Sequence, residues 1–237
     1  MDSDLIIIVQ ARYSSSRLPG KMLLPIAGIT LIDRVMDRLL AVRNVKGVIV
    51  ATSDDPTDDI LCRHCDKASY PVFRGSLNNV ADRFSCLLKQ ENAAAFVRIS
   101  GDSPLVDPAL ISRCVDIYRV GDFDIVSNIV SRSFPKGQSV EVVDSKTFLA
   151  ALPRITSIHD IEHVTQFFYR RPAEFKIHSV TREPALGDMQ LSVDTLEDAH
   201  MIERIIKRIV KLGGRSDLET IVRLRRQLDD EGAARRC

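Results

Sequence analysis

Short apolar runs that alternate with helix-patterned segments constrain this chain more than any single motif. Residues 5–10, 47–52, 72–74, 95–100 and 125–128 read as strands; the first two are runs of β-branched and other apolar residues too short for a helix. Strands that are apolar on both faces belong to sheets covered by helices on both sides. Between them lie helical patterns. The first opens at Thr30, with Asp33 three residues on as a capping-box signal, and carries Leu31, Ile32, Val35, Met36, Leu39 and Leu40 at helical spacing. Others cover residues 57–66 and 80–90, and one starts at Asp107-Pro108, with Asp as N-cap and Pro at the first helical position. This alternation predicts an α/β fold with a Rossmann-like, mainly parallel sheet flanked by helices.

The rhythm changes after residue 130. Residues 138–144, 175–181 and 190–193 read as strands, set around helices at 146–152 and 158–170, and helices at 196–211 and 216–228 close the chain. The chain of 237 residues suits a single domain over residues 1–237, with a small acceptor and dimerisation lobe at about 131–189. Residues 131–137 and 181–188 read as exposed loops, and the tail after about residue 229 as disordered.

Composition narrows the function classes. A net charge of +1 lacks the basic excess of a nucleic-acid surface. No apolar run approaches a membrane span, and the acidic start MDSD before a five-residue apolar run is unlike a signal peptide, so a cytoplasmic protein is expected. Five irregularly spaced cysteines fit free thiols; Cys62 and Cys65 form a C-x-x-C without the second pair a structural zinc site needs.

In open parallel sheets ligands bind beyond the carboxyl ends of the strands. The loop after the first strand gathers Arg12, Arg17 and Lys21 with several hydroxyls and Gly20, a phosphate-binding set without the glycine pattern of a P-loop. After the strand at 95–100, Asp107 is explained as a helix cap but Asp102 is not, and a carboxylate there suits Mg²⁺. After residues 190–193, Thr195 and Asp198 form a capping box, leaving Asp194 either as a turn residue or as a partner of Asp102.

The first loop, A-R-Y-S-S-S-R-L-P-G-K, resembles the signature of the cytidylyltransferase family that activates acylneuraminate and 3-deoxy-manno-octulosonate. The likeness is closest to the branch named for spore-coat polysaccharide biosynthesis protein F. Further matches follow in order: Val50–Ser53, Phe73-Arg74-Gly75-Ser76 with Val80 and Arg83, Gly101-Asp102-Ser103-Pro104-Leu105, and Val126-Ser127-Asn128. Gly137 with Val140-Glu141-Val142, Glu162-His163-Val164-Thr165, and Val193-Asp194-Thr195 with Asp198 complete the set. Ser103 replaces a common Cys, and Gln138-Ser139 stands where Leu-Asp is frequent.

The resemblance implies transfer of CMP from CTP to a sugar or sugar acid in surface-glycan precursor synthesis, with release of pyrophosphate. It implies phosphate contacts from Arg12, Arg17 and Lys21, and Mg²⁺ on Asp102 and Asp194, with Arg12, Lys21 and Asp102 catalytic. By the same likeness cytosine and ribose lie near Ala11, Thr52, Arg74 and Ser100, and the acceptor near Asn128, Glu141, Glu162 and His163. A homodimer is implied too. Independently, residues 131–144 carry Val140, Val142 and Val143 in a stretch that departs from the core pattern, which predicts an arm covered by a second subunit. Two rival readings are a metal-dependent glycosyltransferase, for which Asp122-Phe123-Asp124 offers a D-x-D string, and a non-catalytic nucleotide-sugar-binding module.

Overall fold

The computed structural model describes residues 4–15, 17–214 and 216–234; Ser16 of the first loop and tail residues 235–237 lie outside the described residues. In chain order the elements are β1 (Leu5–Gln10), a hairpin of β2 (Pro25–Ile26) and β3 (Ile29–Thr30), α1 (Leu31–Leu39), β4 (Gly47–Ser53), α2 (Asp59–Lys67), β5 (Val72–Gly75), α3 (Val80–Glu91) and β6 (Ala95–Ser100). Then come α4 (Pro108–Val120), β7 (Ile125–Ser127), β8 (Glu141–Asp144), α5 (Ser145–Ala151), α6 (Ile158–His163), α7 (Gln166–Tyr169), β9 (Ile177–Ser179), α8 (Leu196–Lys211) and α9 (Leu218–Ala234).

The seven-stranded sheet has the order β5-β4-β1-β6-β8-β7-β9. Only β8 runs antiparallel to its neighbours, β6 and β7. Alternate side chains of β1 feed two separate cores: Leu5, Ile7 and Val9 pack towards α1, α8 and α9, and Ile6 and Ile8 towards α3, α5 and α7. Burial on both faces explains why this strand carries no polar residue before Gln10. Strand order reverses at β1, with β4 on one side and β6 on the other, and the crevice beyond such a switch point is where these sheets bind ligands.

Local signals fix the helix starts. Thr30 and Asp33 make the expected reciprocal capping box on α1, Thr195 and Asp198 make one on α8, and Asp107 caps α4 ahead of Pro108. Several expectations need correction. The pattern at 158–170 suggests one helix, but the chain breaks at Val164, whose φ of 54° and ψ of −57° form a γ-turn closed by Thr165 N–H on the His163 carbonyl. Residues 190–193 join no ladder and keep a single bridge, Lys136 to Gln190. Residues 131–137 are not an exposed loop, since Ser133, Phe134, Pro135 and Gly137 are buried. Finally, Val140, Val142 and Val143 are fully buried in their own chain, because β8 inserts between β6 and β7. That removes the arm as a ground for a dimer. α9 also runs past residue 228 to Ala234, into the stretch expected to be a disordered tail.

Candidate active site

Beyond the carboxyl ends of β1 and β6 lies a cavity of about 350 Å³, walled by Gln10, Ala11, Arg12, Arg17, Lys21, Arg98, Ser100, Asp102, Glu162 and His163 among others. Two glycines shape it. Gly20 adopts φ 74° as it turns the first loop into a short 3₁₀ turn, and a Cβ there would sit 3.1 Å from the Tyr13 hydroxyl. Gly101 lets the end of β6 close on the first loop: its N–H donates to the Gln10 carbonyl at 2.9 Å, and a Cβ would lie 2.9 Å from Ala11 Cβ.

Lys21 is the centre of the charge array. It is 8% exposed, and its Nζ donates to Asp102 Oδ2 at 2.9 Å and to the Val193 carbonyl at 2.9 Å. Asp194 Oδ1 lies 3.6 Å from the same ammonium and 2.9 Å from Arg17 Nη2. The two aspartates, 92 positions apart by number, therefore converge on one cation. Backbone docking puts Asp194 there: Leu191 N–H donates to the Lys136 carbonyl and Val193 N–H to the Asp102 carbonyl, both at 2.9 Å. A Cβ at Gly137 would lie 2.6 Å from the Leu191–Ser192 backbone, so only glycine admits this approach.

The Gln138 departure has a structural role. Its buried amide accepts from Asp107 N–H at 2.9 Å and donates to the Leu105 carbonyl at 2.6 Å, holding the loop that follows Asp102.

The donor set is suited to a divalent ion that brings its own oxygens. Mg²⁺ takes one or two carboxylates and completes its shell with phosphate and water. Two convergent carboxylates meet that need, and among the described residues no group of three or more His, Cys, Asp or Glu could form an all-protein cage. Cys62 and Cys65 are buried on α2, and burial pushes the Cys65 thiol up to about 12.

At the other end of the cavity Arg12 pairs with Glu162 at 2.9 Å. His163 stacks on His159 at 4.5 Å; burial foremost, then the charges of His159 and Arg98, holds its imidazole below the usual histidine range. The γ-turn at Val164 ends α6 here and leaves Glu162 and His163 on the cavity wall.

Other expected residues are not part of this cavity's wall. Thr52 is fully buried and donates to Asp58 Oδ2 at 2.9 Å. Arg74 donates to the carbonyls of Ser53 and Asp55 and pairs with Asp59 at 2.8 Å. Asn128 is 1% exposed, and its amide bridges the Gln138 carbonyl and Val140 N–H. Glu141 is equally buried, against Arg98, Thr165 and Tyr169.

Three residues acquire a role only in the structure. Asp58, fully buried, accepts from Tyr13 N–H at 2.6 Å and from Thr52 and Ser53, so it ties the first loop to β4. Arg98 lines the cavity beside Asp102. Arg83 is fully buried and clamps the Ser76 carbonyl through Nε and Nη2, which holds the loop after β5; burial foremost pulls its guanidinium below its usual range. The sequence signals were a carboxylate inside S-D-D-P-T-D-D, a lone cation in the apolar run at 95–99, and a cation on the helical pattern at 80–90.

A larger cleft, of about 970 Å³, lies between α1, α8 and the start of α9. Its Arg34 and Arg38 already donate to the carbonyls of Ile26, Ala27, Val106 and Ser216.

Sheet order, switch-point cavity and the cation–carboxylate array together define a nucleotidyltransferase of Rossmann-like type. The cytidylyltransferase family model matches residues 6–232, and the chain belongs to that family. It is 33% identical over 240 residues to the spore coat polysaccharide biosynthesis protein SpsF of Bacillus subtilis (strain 168), covering 96% of each chain. Among solved structures it superposes on a cytidylyltransferase from Leptospira borgpetersenii serovar Hardjo-bovis (strain JB197) with a TM-score of 0.87 and 26% identity, over 97% of this chain and 95% of that one. CMP:2-keto-3-deoxy-manno-octonic acid synthetase, solved with CTP, shares the fold at a TM-score of 0.68 and 18% identity, over 86% of this chain and 98% of that one. Among the described residues no helix is long and apolar enough to cross a membrane.

Proposed function

We propose that this enzyme transfers CMP from CTP to a sugar or sugar acid that serves surface-glycan synthesis. The observation that carries the reading is the convergence of Asp102 and Asp194 on Lys21, with Arg17 on Asp194, beyond the switch point of a cytidylyltransferase-family sheet. An acceptor oxygen attacks the α-phosphorus; the new P–O bond forms as the bond to the β-phosphate oxygen breaks, and pyrophosphate leaves. The acceptor's hydroxyl proton is lost in the same step. His163 stands on the cavity wall, where an imidazole can take that proton.

Arg12, Arg17 and Lys21 bind the triphosphate, and Lys21 faces the charge that builds on the leaving group. Asp102 and Asp194 are the residues that would hold Mg²⁺, which when bound supplies charge neutralisation for the triphosphate. Ala11 and Ser100, on the cavity wall, contact the nucleoside, while Thr52 holds Asp58 and Arg74 holds the end of β4. Pyrophosphate release from CTP with Mg²⁺, measured across hydroxylated sugar acids, tests the reading; no release with any nucleoside triphosphate would reject it.

The glycosyltransferase alternative loses its motif. Asp122 and Asp124 precede β7, at the end of the sheet opposite the cavity; Asp122 pairs with Lys176, while Asp124 accepts from Lys176 N–H and Thr147. Homodimerisation now rests on the family resemblance, and light scattering tests it directly: a particle mass of 26.5 kDa that persists with CTP bound would exclude it.

A further inference from the structure

Glu141 is a buried carboxylate with three donors, and it is not among the residues of the cavity wall. Strand register sets it directly opposite Arg98 on β6 and opposite Ser127 on β7. One carboxylate oxygen takes Arg98 Nη1. The other takes the Thr165 hydroxyl at 2.5 Å and the Tyr169 hydroxyl at 2.6 Å. With 1% exposure and three donors, the group has no surface left for a substrate.

Arg98 is differently placed. Its Nε donates to Gln10 Oε1 at 3.0 Å and its Nη1 is held by Glu141, so two contacts fix the guanidinium plane. Its Nη2 has no partner among the described residues, and Arg98 is one of the residues of the cavity wall, with Ser100, Asp102, Glu162 and His163. A guanidinium held at Nε and Nη1 offers its free N–H groups, in a fixed plane, to a ligand's oxygens.

We propose that Glu141 touches neither substrate and is a positioning residue that acts through Arg98, and that Arg98 is the group that grips the acceptor's oxygens. This rests on the cytidylyl-transfer reading. The γ-turn at Val164 belongs to the same device, because it places Glu162 and His163 on the wall while Thr165 and Tyr169 reach Glu141 underneath. Burial, together with the adjacent Glu141 charge, drives the Tyr169 hydroxyl well above its usual range, so it remains a donor throughout the working pH range.

A double-mutant cycle tests the assignment, with CTP as donor and 3-deoxy-manno-octulosonate as acceptor probe. Arg98→Met and Glu141→Gln should each raise the KM for the acceptor about tenfold or more, as expected for loss of a charge-assisted hydrogen bond, and leave calorimetric CTP affinity unchanged. In the Arg98→Met background, Glu141→Gln should add no further loss. Multiplying losses would show that Glu141 contacts the acceptor itself and would overturn the proposal. Tyr169→Phe, which keeps the carboxylate, repeats the cycle if Glu141→Gln does not fold.

A second readout needs no turnover. Arg98 should give a slowly exchanging side-chain Nε–H signal in ¹⁵N NMR, assigned by its loss in Arg98→Met, and this signal should vanish or broaden in Glu141→Gln or Tyr169→Phe. A signal that survives both changes sinks this inference. A wild-type protein that releases no pyrophosphate sinks the cytidylyl-transfer reading instead.

Discussion

Replacing Lys21 by Met keeps the aliphatic stem and removes the ammonium that Asp102 and Asp194 share. At the observed 2.9 Å and 3.6 Å, each attraction is worth about 5 kcal/mol gross at an effective dielectric near 20. Desolvation offsets most of that, Arg17 still faces Asp194, and both carboxylates keep 22% exposure. The folded state should therefore lose only about 1–3 kcal/mol, part of it from the Val193 carbonyl left without its donor. Catalysis should lose more, because the cation faces charge that grows in the transition state; kcat/KM for CTP should fall by about 10²–10³. The same geometry gives a second, opposite sign. In the apoprotein the ammonium neutralises the two carboxylates proposed for Mg²⁺, so Lys21→Met should bind Mg²⁺ or Mn²⁺ more tightly without nucleotide while turning over more slowly. Urea unfolding, steady-state pyrophosphate release and metal calorimetry measure the three effects. A kcat/KM within about threefold of wild type, or weaker metal binding by the variant, would refute the arrangement.

Asp102→Asn and Asp194→Asn should each lose most turnover while the melting temperature stays close to wild type; near-wild-type kcat with Mg²⁺ in either variant removes that residue from the metal site. Gly101→Ala should cost about 1–3 kcal/mol in urea unfolding and weaken CTP binding, because the added methyl would lie 2.9 Å from Ala11 Cβ and 3.2 Å from the Gln10 carbonyl; unchanged stability and affinity would show that β6 and the first loop are not held that close. Burial pushes the Asp33 carboxyl up, but hydrogen bonds from Thr30 and His64 outweigh it and leave it below the usual range. A depressed carboxyl contributes stability that is present above its unfolded value of about 3.9 and lost as pH falls through the lower folded value. Asp33→Asn should therefore flatten the melting-temperature profile below about pH 4 and leave its shape above about pH 6 unchanged; an identical acid limb would show that the carboxylate carries no such linkage.

The parallel half of the fold was legible because local and tertiary preferences agree there. β1 and β6 begin and end where the apolar runs do, and Thr30, Asp107 and Thr195 cap the helices they announce. The rest was hidden by contacts distant in sequence. Residues 190–193 have strand-like composition, yet their backbone is engaged by Lys136 and Asp102, so they dock as an extended segment without a ladder. The 158–170 pattern is helical throughout, and nothing local in Val164 signals a positive φ; the γ-turn persists because Val164 is fully buried on one side while Thr165 is held by Glu141 on the other.

The candidate site divides along the same line. Arg12, Arg17, Lys21 and Asp102 follow strands that the sequence itself marks, so position after a strand was enough to find them. Asp194 was ambiguous between turn residue and ligand, because its meaning depends on Lys21, which only the fold brings within 3.6 Å. Arg98 and Glu141 were harder still. A cation within a buried strand and a carboxylate within a valine run each look like isolated exceptions to apolar patterning. The register that pairs them turns two costly buried charges into one satisfied unit, whose Arg98 stands on the cavity wall. Paired charges across neighbouring strands of an otherwise apolar sheet are therefore recognisable from register and not from either residue's own sequence context.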